Sequence, residues 1–133
     1  MNMISRDERK NIKGIKKFIN SFKYPIKGLK YAYKNEQNLA FDVMITIIII
    51  ILGVAFKISI VEWALLSITI GLVISAELFN TAIEAVVDLV TEAYHPLAKV
   101  AKDTSAAAVF ILAIVSVIEG IIIFLPKVIN LLF

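Results

Sequence analysis

Three long apolar runs follow a polar, lysine-rich leader, and their boundaries are sharp. The first runs from about Leu39 to Phe56, the second from Glu62 to about Thr91, and the third from about Thr104 to Leu125, where Pro126 and Lys127 are expected to stop it. Each is close to or beyond the ~20 residues that cross ~30 Å of hydrocarbon as a helix. The runs are unbroken rather than alternating, which excludes a barrel and leaves helices as the structure that satisfies every backbone group in lipid. Ahead of them, Ile12, Ile15, Phe18, Ile19, Phe22, Ile26, Leu29 and Tyr33 recur at helical spacing with lysines on the opposite face. That pattern predicts an amphipathic helix lying on a membrane surface, kinked or broken at Pro25 and Gly28. Residues 1–10 are polar and are expected to fray. The fold class is therefore all-α and integral to a membrane: a basic arm and surface helix over 1–36, then three transmembrane helices, in one domain of 133 residues.

Composition agrees and adds a direction. The chain is 59% hydrophobic, above the roughly 45–50% of a soluble domain. Ten of its fourteen Lys+Arg lie in residues 1–36, and the segment 92–103, read as a loop, holds Lys99 and Lys102. Positive charge collects on the cytoplasmic side of a membrane, so the N-terminus and the 92–103 segment are expected there. The first apolar run starts only near Leu39 and lacks a small-residue cleavage site, so no signal peptide is read. No nucleic-acid motif accompanies the basic arm, and no nucleic-acid partner is expected. Cysteine is absent, so disulfides and thiolate metal sites are excluded. The single histidine, His95, argues against zinc. Neither a P-loop nor a Gly-x-Ser-x-Gly element is present.

The second run is apolar in its first half and polar in its second. Glu77, Asn80, Glu84 and Asp88 stand three, four and four residues apart, which puts them within roughly 80° of arc on one helical face. Carboxylates at membrane depth cost several kcal/mol each unless paired, solvated or metal-bound, which makes them functional-site candidates. Carboxylates with an amide suit Mg²⁺, a hard ion that shares its shell with water and phosphate. A lysine beside such a site suits phosphoryl transfer. Glu77 lies deepest and is the candidate base for a hydroxyl proton; Glu36, just before the first span, can join the metal site from another helix.

Each signal also has a plainer reading. Glu84 and Asp88 can be solvated residues where a helix leaves the membrane, and Lys99 and Lys102 simply positive-inside residues. Asp103 can be an N-cap, His95–Pro96 a turn, and Trp63, Tyr24, Tyr31 and Tyr33 members of interfacial belts. Glu77 and Asn80 can bind helices together by hydrogen bonds. Glu119, in the third run, is expected to snorkel to the outer interface.

The stretch Glu77-Leu-Phe-Asn-Thr-Ala-Ile-Glu-Ala-Val-Val-Asp88, with Tyr94-His95 and Ala98-Lys-Val-Ala-Lys-Asp103 downstream, resembles the small integral-membrane prokaryotic diacylglycerol kinase family. Lys27-Gly28-Leu29 and Asn35-Glu36 extend the resemblance over about 17–125. Glu62-Trp63, Asp88-Leu-Val-Thr91, His95-Pro-Leu-Ala-Lys99 and Ile123-Phe-Leu-Pro-Lys127 bring it nearer the Gram-positive undecaprenol kinase branch, although the residues after Asp103 lack that branch's usual glycine. The resemblance implies a homotrimer with sites between subunits, and transfer of the γ-phosphate of MgATP to the hydroxyl of a membrane lipid alcohol, undecaprenol or, alternatively, diacylglycerol. It further implies Glu77 as catalytic base and Asn80 as an orienter of the reacting groups. Glu36 and Glu84 match metal ligands, Lys102 and Asp103 nucleotide contacts, and Tyr24, His95 and Asp88 positions lining the site. A reading from another class, a non-catalytic channel or assembly subunit with a polar stripe along a pore, is separated from these by Mg²⁺-dependent ATP binding.

Overall fold

The computed structural model describes residues 14–133; the expectations for residues 1–10 and for a helix beginning at Ile12 lie outside the described residues. Every regular element in the described chain is helical: α1 (Ile15–Ser21), α2 (Lys23–Asn35), α3 (Gln37–Ala55), α4 (Ile60–Val90) and α5 (Pro96–Leu132). The chain divides into two compact units at Asn35/Glu36.

In the first unit, the expected long helix is two helices. The break falls at Phe22, and its cause is the residue foreseen: Pro25 has no N–H to offer the carbonyl of Ser21, so α1 cannot run through it. Pro25 instead occupies the first turn of α2, where no N–H is needed. Gly28 does not end α2, which continues to Asn35.

In the second unit, α3, α4 and α5 are the three helices long and apolar enough to cross a membrane. The connection from α3 to α4 is four residues, closed at both ends by backbone chemistry. Lys57 takes a left-handed φ of 50°, and the amides of Lys57 and Ile58 donate to the carbonyls of Val54 and Gly53, the pairings of a Schellman motif. Ser59 then opens α4 with a capping box, its Oγ accepting from the Glu62 amide while Glu62 accepts from the Ser59 amide. Gly53 is needed here because a Cβ would stand 2.7 Å from the Trp63 ring. Leu66, Ile58 and Ile123 form a small buried cluster at this end, flanked by Trp63, Phe56 and Phe124, and Lys127 bonds Glu62 at 2.9 Å.

The other turn differs from expectation. The segment 92–103 is not a loop: α5 begins at Pro96, so Lys99, Lys102 and Asp103 sit on helix. His95 is the N-cap, its Nδ1 accepting from the Leu97 amide at 3.2 Å, and Pro96 follows with φ already set for a helix. Asp103 is therefore not an N-cap. Nor does Pro126 stop the third span, since α5 continues through it to Leu132. One missing bond in a 37-residue helix does not outweigh the cost of exposing backbone to lipid.

α5 packs chiefly on α4, while α3 meets α4 over a shorter stretch. The pairing of Glu62 with Lys127 at one end and of Asn80 with Ser105 toward the other makes α4 and α5 antiparallel. Few apolar side chains are buried, as expected where the solvent is hydrocarbon.

Candidate active site

The polar stripe of α4 grades from buried to exposed. Glu77 is 3% exposed and Asn80 8%; Glu84 is half-buried and Asp88 exposed. α5 contributes to this gradient by placing Ser105 directly over Asn80. Asn80 is held at both ends of its amide. Its Nδ2 donates to Glu84 Oε1 at 2.9 Å, and its Oδ1 accepts from Ser105 Oγ on α5 at 2.6 Å. Ser105 Oγ also lies 2.9 Å from the Lys102 carbonyl, so one hydroxyl proton has two acceptors within reach. Thr81, the fourth buried polar residue of this region, returns its hydroxyl to the Glu77 carbonyl at 2.9 Å.

Charge is distributed unevenly. Glu36, Asp42 and Glu84 all lie close enough to Glu77 for their carboxylates to repel it. Glu36 stands at the N-cap position of α3, yet its side chain makes no capping bond. Lys102 supplies positive charge from α5: its Nζ bonds Asp88 Oδ1 at 2.6 Å and lies within electrostatic range of Glu84. Asp103 is paired with Lys99 one turn back on the exposed face. Four carboxylates gathered with so little compensation suit a divalent cation with hard-oxygen preference. No three acidic or imidazole side chains converge as a complete cage among the described residues; that fits an ion such as Mg²⁺, which takes one or two carboxylates and completes its shell with water and phosphate.

Glu77, Asn80 and Asp42 share the wall of a cavity of about 340 Å³ between the three helices, with Phe41, Val73 and Phe110. The structure thus brings together Glu77, Asn80, Glu84 and Asp88 on α4, Lys102 on α5, and Glu36 at the start of α3. His95 caps α5 and Asp103 pairs with Lys99; Tyr24 belongs to the first unit. Two residues escaped the sequence reading. Asp42 was given no role, although a carboxylate in the first turns of a span carries the same cost as those on the second. Ser105 gave no signal, because only its partner across the helix pair makes it part of the site. Glu119 departs from expectation: its Oε2 is buried without a hydrogen-bond partner, and it faces a cavity between helices rather than the outer interface.

The family model for prokaryotic diacylglycerol kinase matches residues 23–124. An undecaprenol kinase of Bacillus subtilis is 41% identical over 125 residues, covering 94% of this chain and 99% of that protein. A diacylglycerol kinase of Haemophilus influenzae is 38% identical over 112 residues, 84% and 95% of the two chains, and one of Escherichia coli K12 is 34% identical over 108 residues, 81% and 88%. With a family model spanning most of its length and relatives aligned nearly end to end, the chain belongs to the prokaryotic diacylglycerol kinase family.

Proposed function

We propose that this chain is a membrane lipid kinase that moves the γ-phosphate of ATP to the hydroxyl of a lipid alcohol, with undecaprenol as the acceptor. The observation that carries the reading is the buried Glu77 carboxylate in a cavity open between apolar helices, with Asn80, Glu84 and Lys102 beside it. Glu77 accepts the hydroxyl proton as the lipid oxygen attacks phosphorus. Asn80 holds Glu84 in place through its amide, and Lys102, partnered by Asp88, meets the phosphates. Asp103 contacts the nucleoside, and Tyr24 and His95 line the nucleotide side. Glu36 and Glu84 would hold Mg²⁺, which when bound neutralises charge on the transferring phosphoryl group. Catalysis of this kind is positioning and electrostatics, for which a rigid polar network in a water-poor site is well suited.

The arm and the helices α1 and α2 lie on the cytoplasmic surface as an amphipathic anchor, and the whole chain works as one kinase domain in the cell membrane. Three copies assemble around the polar stripes. Undecaprenol is favoured by the identity and end-to-end coverage of the Bacillus subtilis relative; diacylglycerol is the second reading, favoured by the Haemophilus influenzae and Escherichia coli relatives. Purified protein in bilayers with Mg²⁺ and γ-labelled ATP should label undecaprenol, resolved by thin-layer chromatography. Absence of labelled product from both lipids would sink the proposal.

A further inference from the structure

Glu119 has no part in that reaction, yet it is the one described residue with a buried side-chain oxygen left without a partner. Its cavity, about 190 Å³, lies between α3, α4 and α5 and is otherwise aliphatic, apart from Thr46, Thr69, Ser116 and Asp42. Ser116 donates its own proton to the Ala113 carbonyl at 2.8 Å, which leaves its oxygen as an acceptor. Asp42 and Val73 line this cavity and also the one that contains Glu77, so the two are neighbours across a shared wall. Asn80 is level with Ser105, and the helices are antiparallel, so Glu119 stands about 17 Å along the axis from Glu77 at ~1.5 Å per residue.

A buried, unpartnered carboxyl oxygen is costly. A partner that reaches it from the lipid side carries a hydrogen-bond donor and is otherwise apolar. A long-chain alcohol meets all three conditions. A carboxyl group pairs with a hydroxyl in either protonation state, accepting when ionised and also donating when protonated. A polyprenol has the hydroxyl as its only polar group, so its head enters an apolar cavity with nothing else left unsatisfied. A diacylglycerol would have to bring two ester groups with it, away from the headgroup level.

We infer that the Glu119 cavity is a receiving site for the hydroxyl end of a polyprenol, set beside the Glu77 cavity across Asp42 and Val73, and that it biases the chain toward polyprenols over diacylglycerols. The inference rests on the lipid-kinase reading. Glu119 is a specificity-determining residue, remote from the transferred phosphate.

The test measures KM and kcat in phosphatidylcholine nanodiscs with saturating MgATP for undecaprenol, for farnesol, which is short enough to reach Glu77 from the interface, and for dioleoylglycerol. Glu119→Leu should raise the undecaprenol KM about tenfold, the worth of one hydrogen bond, with its kcat and both other KM values within about twofold. Glu119→Gln, which keeps an acceptor, should recover most of the loss. Because the chain has no cysteine, Ser116→Cys supplies a unique thiol in the cavity. Undecaprenol, and not dioleoylglycerol, should slow the reaction of that thiol with a membrane-permeant maleimide severalfold. Equal KM changes for all three lipids, no change for any, or Glu119→Leu dissociating the oligomer would overturn the inference, the last by making Glu119 a subunit contact. Equal protection of the introduced thiol by both lipids would overturn it too. A wild-type protein that labels no lipid would defeat the kinase reading instead, while the thiol experiment still decides the site.

Discussion

Asn80→Ala is the substitution whose size the geometry sets most directly. It deletes two hydrogen bonds at once, a buried one to Ser105 at 2.6 Å and a partly buried one to Glu84 at 2.9 Å, but the two losses are unequal. Ser105 keeps an acceptor, because the Lys102 carbonyl already lies 2.9 Å from its hydroxyl; that side costs well under the ~1 kcal/mol of an ordinary neutral bond. Glu84 has no second hydrogen bond to a side chain or backbone group among the described residues. Losing a bond to a charged group is worth about 1.5–3 kcal/mol, and one factor of ten corresponds to about 1.4 kcal/mol. If Glu84 is to present its carboxylate to Mg²⁺, Asn80→Ala should therefore lower activity at limiting Mg²⁺ by roughly 10–100-fold. Excess Mg²⁺ should restore part of it. Ser105→Ala, which leaves the Asn80–Glu84 bond intact, should cost less than about fivefold. The assay is phosphate transfer to lipid across an Mg²⁺ titration, with thermal melts in detergent to confirm that both variants fold. The reasoning is refuted if Ser105→Ala is as damaging as Asn80→Ala, or if the Asn80→Ala deficit does not depend on Mg²⁺.

Other substitutions separate chemistry from scaffold. Glu77→Gln should reduce kcat by about 10²–10⁴-fold with an unchanged melting curve; near-normal turnover would remove it as the base. Lys102→Met should raise the KM for ATP while leaving stability within about 1 kcal/mol, since its ion pair with Asp88 is largely exposed; a large stability loss with normal ATP affinity would make the lysine structural. His95→Ala should destabilise by about 1 kcal/mol through loss of the cap, and His95→Asn should not; equal loss of activity in both variants, without loss of stability, would show that His95 acts at the nucleotide and not as a cap. Gly53→Ala, forced against the Trp63 ring, should lower thermal stability by about 1–3 kcal/mol, which a melt of the purified protein would reveal.

Much of this architecture is legible in one dimension because the bilayer is a demanding solvent. Lipid forbids unsatisfied backbone, so an apolar run of sufficient length has one outcome, and α3 and α4 begin and end within two residues of the runs read from sequence. The same rule misled at α5. Lys99, Lys102 and Asp103 looked like loop residues because they are charged, yet the helix starts at Pro96, where His95 and the proline ring supply a cap and a preset φ. Charge marks where a helix leaves hydrocarbon; it does not mark where the helix ends.

The polar stripe was equally visible, because the 3.6-residue period puts Glu77, Asn80, Glu84 and Asp88 on one face whatever surrounds them. Periodicity acts within a helix and is silent across helices. Only the packing of the helices buries Glu77 and Asn80, gives Asn80 its partner in Ser105 and ties Lys102 to Asp88. Only the approach of α3 brings Asp42 into the Glu77 cavity. Glu119 shows the limit from the other side. In sequence it is one carboxylate in an apolar run, free to reach either interface. Its orientation was decided by which neighbouring surfaces closed around it, and those surfaces come from α3 and α4, far away along the chain.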